Sequence, residues 1–304
     1  MLPIERPAKG FTTRFAPAPT GYLHLGHVVN AIHVWGRARA RSGRVLLRVE
    51  DHDRQRCRPE YEAALLDDLD WLGFAPDVFP TSAFRAGRCD GRQSDRHGHY
   101  ARAVETLAAR GLIYACACTR REIEDATAAA PDAGELRYPG TCRHRGLPLT
   151  DGVGWRLVLP DDTVTFDDLA HGVTTQTPSA QCGDLLLRDR LGNWTYQLAV
   201  VVDDLLHGID LVVRGDDLFA STGRQILLAR LLGRESPLAF FHHGLVMQTP
   251  TQKLSKSDGA SGVRDLRAAG WTPERVLGHA AHLGGLIPAP RDLAIADLPD
   301  LFAR

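Results

Sequence analysis

Residues 14–27 read Arg14-Phe-Ala-Pro-Ala-Pro-Thr-Gly-Tyr-Leu-His24-Leu-Gly-His27: a short strand, a loop punctuated by proline and glycine, and the first turn of a helical pattern. From Leu25 toward Arg41, Val28, Ile32 and Trp35 recur at helical spacing. A loop that feeds a helix N-terminus offers free backbone N–H groups and the positive end of the helix dipole, both suited to phosphate. Gly26 lets a nucleotide approach the backbone closely, and His24 and His27, one turn apart, can both donate to phosphate oxygens. A bare His-x-Gly-His describes surface histidines in a capped turn equally well. The Pro-x-Pro-Thr-Gly loop directly behind a strand carrying Arg14 is far more specific.

Working outward, Val45 to Val49 reads as a buried strand ending at Glu50-Asp51. Pro59 suits the first turn of a helix with Tyr61, Ala64, Leu65, Leu69 and Leu72 on one face. This βαβα alternation predicts a Rossmann-like α/β fold, a doubly wound parallel sheet with ligands beyond the carboxyl ends of its strands. A surface excursion is expected at about 80–92, then a helix over Tyr100 to Arg110. From Ile113 to about Gln181 the alternation breaks into short β runs between Pro, Gly and Asp, which predicts an inserted small domain. Strands at Leu185–Leu187 and Leu211–Arg214 and helices at Tyr196–Leu206 and Thr222 to Leu232 follow, then a last helix begun by Thr272-Pro273. The expected division is 1–112 and 182–258 as two halves of a catalytic domain, 113–181 as the insertion, and 259–304 as a short helical tail.

The chain has 304 residues, 44% hydrophobic and 24% charged, the composition of a globular protein with room for one large domain and a smaller insertion. No stretch approaches ~20 uninterrupted apolar residues and the N-terminus has no apolar signal core, so neither membrane nor export is expected and the cytoplasm is. A net charge of −1 excludes global attraction to polyanions, so any nucleic-acid footprint must be a local patch. A monomer is the expected state.

Far downstream, Gln252-Lys253-Leu-Ser-Lys256-Ser-Asp-Gly-Ala-Ser-Gly is too rich in Gly and Ser for a stable helix and suits a mobile loop. Lys253 and Lys256 can clamp a triphosphate and stabilise charge on departing pyrophosphate. Together the two signatures resemble those of the class I aminoacyl-tRNA synthetases. Glu50-Asp51-His-Asp53-Arg54, the run from Tyr196 to Asp204, and Val213-Arg214-Gly-Asp-Asp extend the resemblance to the catalytic half of the glutamyl-tRNA synthetases, from about Thr13 to Asp258. In that family the equivalents of Arg14, Glu50, Tyr196 and Arg214 hold the amino acid. The resemblance therefore implies an L-glutamate site formed by these residues with Phe15, Ala16, Pro17 and Ala18, and an ATP site at Pro17, His24, Gly26, His27 and Lys256, with Mg²⁺ on the ATP. Two arginines suit a substrate with two carboxylates, and Glu50 suits its ammonium. Residue 18 is Ala where the family usually has Ser, which removes a hydroxyl contact to the substrate.

Cys116-Ala-Cys118 and Cys142 supply thiolates at zinc-like spacing, with Tyr138 or His144 as fourth ligand. Histidine is the commoner ligand, yet Tyr-x3-Cys resembles the truncated relatives of these synthetases, in which tyrosine ligates zinc. That implies one structural Zn²⁺ on Cys116, Cys118, Tyr138 and Cys142. Cys57, Cys89 and Cys182 lack such company. Arg85, Arg88, Arg92, Arg96 and Arg102, with Arg120, Arg121, Arg137, Arg143 and Arg145, form a basic concentration suited to an RNA backbone. The chain ends 47 residues after Ser257, too few for the usual helical anticodon-binding region of ~100 residues or more. The expectation is the shortened family, the glutamyl-Q tRNA(Asp) synthetases, which attach activated glutamate to queuosine in the anticodon stem-loop of tRNA(Asp). A short glutamyl-tRNA synthetase charging a 3′ end, or a non-catalytic paralogue binding RNA or glutamate, are the alternatives.

Overall fold

The computed structural model describes residues 10–127, 135–249, 252–253 and 262–303. Strand β1 (Thr12–Phe15) runs into the Pro/Gly loop, helix α1 (Leu25–Arg39) follows, and β2 (Arg44–Leu47) pairs in parallel with β1. Next come α2 (Pro59–Leu72), ended by Gly73 in the left-handed conformation, the short α3 (Thr81–Arg85), a 3₁₀ turn at Gln93–Arg96 and α4 (His97–Ala109). Strand β3 (Ile113–Cys116), α5 (Arg120–Thr127), β4 (Gly154–Leu157), β5 (Val164–Asp168), β6 (Gly172–Gln176), α6 (Pro178–Cys182) and β7 (Leu185–Arg188) make up the middle of the chain. The remainder is α7 (Tyr196–Leu206), β8 (Leu211–Gly215), a 3₁₀ turn at Asp216–Ser221, α8 (Thr222–Leu231), β9 (Ala239–His243), the hairpin of β10 (Met247–Thr249) and β11 (Gln252–Lys253), α9 (Val263–Ala268), α10 (Pro273–Leu283) and a 3₁₀ segment at Ile295–Phe302.

Six strands form one sheet in the order β2-β1-β8-β9-β5-β6, parallel except for β6. The chain leaves β1 toward β2 on one side, and β8 joins β1 on the other. That reversal opens a crevice beyond their carboxyl ends, where open α/β sheets bind ligands. Helix α1 is buried over most of its circumference, against the sheet, α10 and the 3₁₀ segment at Ile295–Phe302. Gly36 makes this last contact possible, since a Cβ there would fall 2.2 Å from the Phe302 ring. Helices α4, α7 and α8 cover the other face, around Tyr100, Leu198, Leu228 and Phe240.

The boundary expected at residue 181 does not follow sheet membership. Strands β5 and β6 belong to the main sheet, where β5 lies beside β9, whereas β7 pairs with β4 in a separate antiparallel sheet, β3-β4-β7. A run of short strands in sequence does not say which edge each will find. Strand β9, with all five residues buried, was not expected from the sequence at all. The segment at 80–92 is also less of a surface excursion than expected, since it contains α3 and buries Phe84 and Cys89.

Candidate active site and metal cluster

The carboxyl ends of β1 and β8 open into a cavity of about 430 Å³. Arg14, Phe15, Ala16, Pro17, Ala18, His24, Gly26, His27, Glu50, Tyr196 and Arg214 all line it, as do Asn30, Asp217 and His243, which the sequence reading did not single out. Of Lys253 only the strand backbone is described, paired with Met247 rather than in a loop, and Lys256 lies outside the described residues.

The two signature histidines cap the helix they introduce. His24 Nδ1 accepts from Gly26 N–H at 3.1 Å and His27 Nδ1 accepts from His24 N–H at 3.1 Å, closing a reciprocal capping box. With both Nδ1 atoms accepting, the proton of each neutral ring belongs on Nε2. A Cβ at residue 26 would lie 2.9 Å from the His24 ring, so glycine is what lets that ring fold over the helix end.

A buried charge network forms the floor. Arg48, fully buried, donates to Glu50 Oε1 at 2.9 Å and to Asp204 Oδ1 at 2.6 Å, and Arg14 Nε reaches the same Asp204 oxygen at 3.1 Å. Burial favours the neutral acid at Asp204, but Arg14 and Arg48 hold its carboxyl below the ordinary range. Asp203, one residue earlier on α7, binds Arg96 at 2.7 Å and accepts from Tyr100 and Gln93. Arg48 escaped the sequence reading because a strand residue at the end of Val45-Leu-Leu reads as apolar core. The signal was the alternation Arg48-Val-Glu50, which puts two opposite charges on one strand face.

Arg214 differs from the other buried arginines. It is 3% exposed, and its guanidinium donates to His242 Nε2 at 2.9 Å, Gln225 Oε1 at 2.6 Å and Thr222 Oγ1 at 2.9 Å, with the Tyr196 hydroxyl also in contact. Among the described residues it makes no ion pair, and burial lowers its pKa. With Arg96, and with Asp203, which also lies 4.0 Å from Arg48, four buried arginines, Arg14, Arg48, Arg96 and Arg214, thus face three buried carboxylates, Glu50, Asp203 and Asp204. A buried cation without a counter-ion beside a cavity is costly unless an anionic ligand arrives.

On the three-stranded sheet, the sulfurs of Cys116, Cys118 and Cys142 lie within 4.8 Å of one another, with Cys118 and Cys142 3.5 Å apart. Tetrahedral zinc with Zn–S near 2.3 Å requires sulfurs about 3.8 Å apart. The Tyr138 hydroxyl sits 3.3 Å from Cys116 Sγ and 3.9 Å from Cys118 Sγ, while His144 is exposed and outside the cluster. Burial pushes the Tyr138 phenol up, and Arg156 lies 3.6 Å over its ring in a cation–π contact.

The basic concentration is only partly a free surface. Arg96 is buried against Asp203, Arg92 is held by Glu62 and Asp95, Arg85 bridges Asp67 and Asp70, and Arg143 pairs with Asp184 at 2.5 Å. Arg88, Arg102, Arg120, Arg121, Arg137 and Arg145 are exposed, and of these Arg88 pairs with Asp95, Arg120 with Glu124 and Arg121 with Asp125. A run of arginines does not reveal that acids from α2 and α7 fold back onto Arg85, Arg92 and Arg96.

No helix among the described residues is long and apolar enough to cross a membrane. A family model for class I tRNA synthetases (E and Q), catalytic domain, matches residues 11–295. The chain is 41% identical over 300 residues to a glutamyl-Q tRNA(Asp) synthetase of Symbiobacterium thermophilum, covering 95% of this chain and 91% of that protein. It is 43% identical over 285 residues to one from Burkholderia cenocepacia, covering 90% and 88%. Among solved structures, a glutamate tRNA ligase of Elizabethkingia meningosepticum in complex with its amino acid superposes with a TM-score of 0.75 at 25% identity, and a glutamate-tRNA synthetase of Elizabethkingia anophelis with 0.77 at 26%. These matches cover 95% of this chain but only 64% and 65% of those longer chains. A match across nearly the whole described fold, with identity above 40% to proteins of almost the same span, means that the chain belongs to the class I tRNA synthetases of the glutamate and glutamine type, in the glutamyl-Q tRNA(Asp) synthetase family.

Proposed function

We propose that the protein condenses L-glutamate with ATP to glutamyl adenylate and then transfers the glutamyl group to queuosine in the anticodon loop of tRNA(Asp). The observation that carries the reading is Arg214, a buried guanidinium without an acidic partner among the described residues, lining the same cavity as Glu50 and the capped end of α1. Arg214 takes one carboxylate of glutamate, Arg14 is within the same cavity for the other, and Glu50 faces the ammonium. Glutamate carries net charge −1, which balances the single positive excess of the network. His24 and His27 direct Nε2 protons toward the triphosphate, and the N-terminus of α1 adds its dipole. The glutamate α-carboxylate attacks the ATP α-phosphorus, the bond to the bridging oxygen breaks, and pyrophosphate leaves. Mg²⁺ bound to the ATP phosphates would supply neutralisation of their charge. No protein nucleophile is required, because catalysis rests on positioning and charge stabilisation, with Lys253 and Lys256 assigned to the leaving group. A ring hydroxyl of queuosine then attacks the adenylate carbonyl, forming an ester and releasing AMP. The exposed Arg88, Arg120, Arg121, Arg137 and Arg145 are available to RNA phosphates.

The purified protein should catalyse glutamate-dependent exchange between pyrophosphate and ATP with no tRNA present, since the cavity gathers amino-acid and phosphate groups without RNA. Exchange that appears only once tRNA is added would overturn this part of the reading.

We also assign one structural zinc to Cys116, Cys118, Cys142 and Tyr138. The metal would tie α5 and the loop at 138–145 to the three-stranded sheet. Metal analysis should find close to one zinc per chain, and Tyr138→Phe should release it to a chelator more readily than His144→Ala does. Less than about half an equivalent in carefully prepared protein would sink the site.

A further inference from the structure

Arg214 must be aimed as well as buried, and the groups that aim it lie behind the cavity wall. Its Nε–H donates to His242 Nε2 at 2.9 Å, and His242 Nδ1 lies 2.6 Å from Asp168 Oδ2. The side chains of His242 and Asp168 are both completely buried, and neither lines the cavity. A guanidinium has no acceptor, so His242 Nε2 must present a lone pair and the imidazole proton must sit on Nδ1, donated to Asp168. Asp168 is itself fixed: its Oδ1 accepts the backbone N–H groups of Ala170 at 2.9 Å and His171 at 3.1 Å. Phe219 meets the His242 ring edge-on at 5.1 Å and Phe240 stacks on it at 6.1 Å, packing the ring on two sides. The three residues stand on β5, β9 and β8, adjacent in the main sheet.

We propose that Asp168 and His242 form a positioning relay that sets the tautomer of the imidazole and thereby holds the Arg214 guanidinium in register with the side-chain carboxylate of glutamate. The inference rests on the assignment of Arg214 to glutamate. Neither relay residue touches substrate; both act through Arg214. The charge of Asp168 reaches Arg214 only across the imidazole, which leaves the guanidinium oriented but not neutralised, still open to a substrate anion. A carboxylate placed directly against Arg214 would compete with that substrate.

The test is steady-state pyrophosphate exchange, with glutamate and ATP varied separately. Asp168→Asn keeps an oxygen for the Ala170 and His171 N–H groups but turns an amide N–H toward His242 Nδ1. The imidazole must then carry its proton on Nε2, pointing at Arg214 Nε–H. Asp168→Asn should raise the KM for glutamate roughly 10- to 100-fold, by analogy with the loss of a hydrogen-bond partner behind a metal ligand, with the KM for ATP changed less than about twofold. His242→Gln, whose Oε1 can still accept from Arg214, should recover a large part of the glutamate affinity lost in His242→Leu, and this pair carries the test if Asp168→Asn does not fold. Equal rises in both KM values, or Gln and Leu variants that behave alike, would reduce the relay to ordinary core packing. Wild-type protein without glutamate-dependent exchange would instead overturn the assignment of the cavity itself.

Discussion

Replacing Arg214 with alanine is expected to raise the KM for glutamate by roughly 30- to 4,000-fold, because removing one partner of a buried charge pair costs about 2–5 kcal/mol. The effect should fall on glutamate and spare ATP. Arg214 is fixed by Gln225, Thr222 and His242 on the sheet side, and nothing among its described partners belongs to the capped end of α1. Removing Arg214 relieves a buried cation but leaves His242 Nε2, Gln225 Oε1 and Thr222 Oγ1 without their donor, so thermal unfolding is followed beside binding to separate loss of binding from loss of fold. Arg14→Ala should weaken glutamate use as well, but it strips Asp204 of one of two cationic partners and so should also lower the melting temperature. Equilibrium binding of labelled glutamate together with thermal unfolding checks both expectations. Glutamate affinity that survives both substitutions would move the amino-acid pocket elsewhere.

The second large effect concerns the acceptor, and there the expected outcome is all or none. Two tRNA(Asp) samples are incubated with protein, ATP and radiolabelled glutamate: one contains queuosine but ends in a 2′,3′-dideoxyadenosine, and the other has a normal 3′ end but no queuosine. Label should enter the first and be absent from the second. The adenylate carbonyl needs a hydroxyl to attack it, and the first tRNA leaves none at its 3′ end. The relatives that share about two-fifths of this sequence are named for tRNA(Asp) and the modified base. The opposite pattern would make this protein a glutamyl-tRNA synthetase of the usual acceptor chemistry.

Much of this was legible in the residues, for identifiable reasons. Helix α7 runs Tyr196–Leu206 as its apolar spacing required, and α10 begins at Pro273, with the Thr272 hydroxyl accepting from Arg275 N–H as its cap. The cavity gathers residues from 14–18, 24–27, 50, 196 and 214 because each group lies at a strand end or helix start, positions that local sequence marks well. What stayed hidden depends on pairings between distant segments. Nothing near Arg48 announces Asp204, nothing near Arg96 announces Asp203, and Asp168 and His242 stand 74 positions apart. Strand β9 was missed because its run Ala-Phe-Phe ends in two histidines, which read as polar although both are buried.

The placement of β1 has a consequence for how the chain is made. Thr13 donates from its hydroxyl to Leu211 O, across 198 positions, so in synthesis β1 waits for one of its two neighbours until β8 has been built. At about 5–20 residues per second that delay is roughly 10–40 s. For that time one edge of β1 is an open template for stray strand pairing, the hazard natural sheets blunt with charge. Arg14 lies on this strand, and its partner Asp204 is equally late. Until then its guanidinium is solvated, a charge standing guard on an unfinished edge, and only the arrival of α7 and β8 turns it inward to face the cavity.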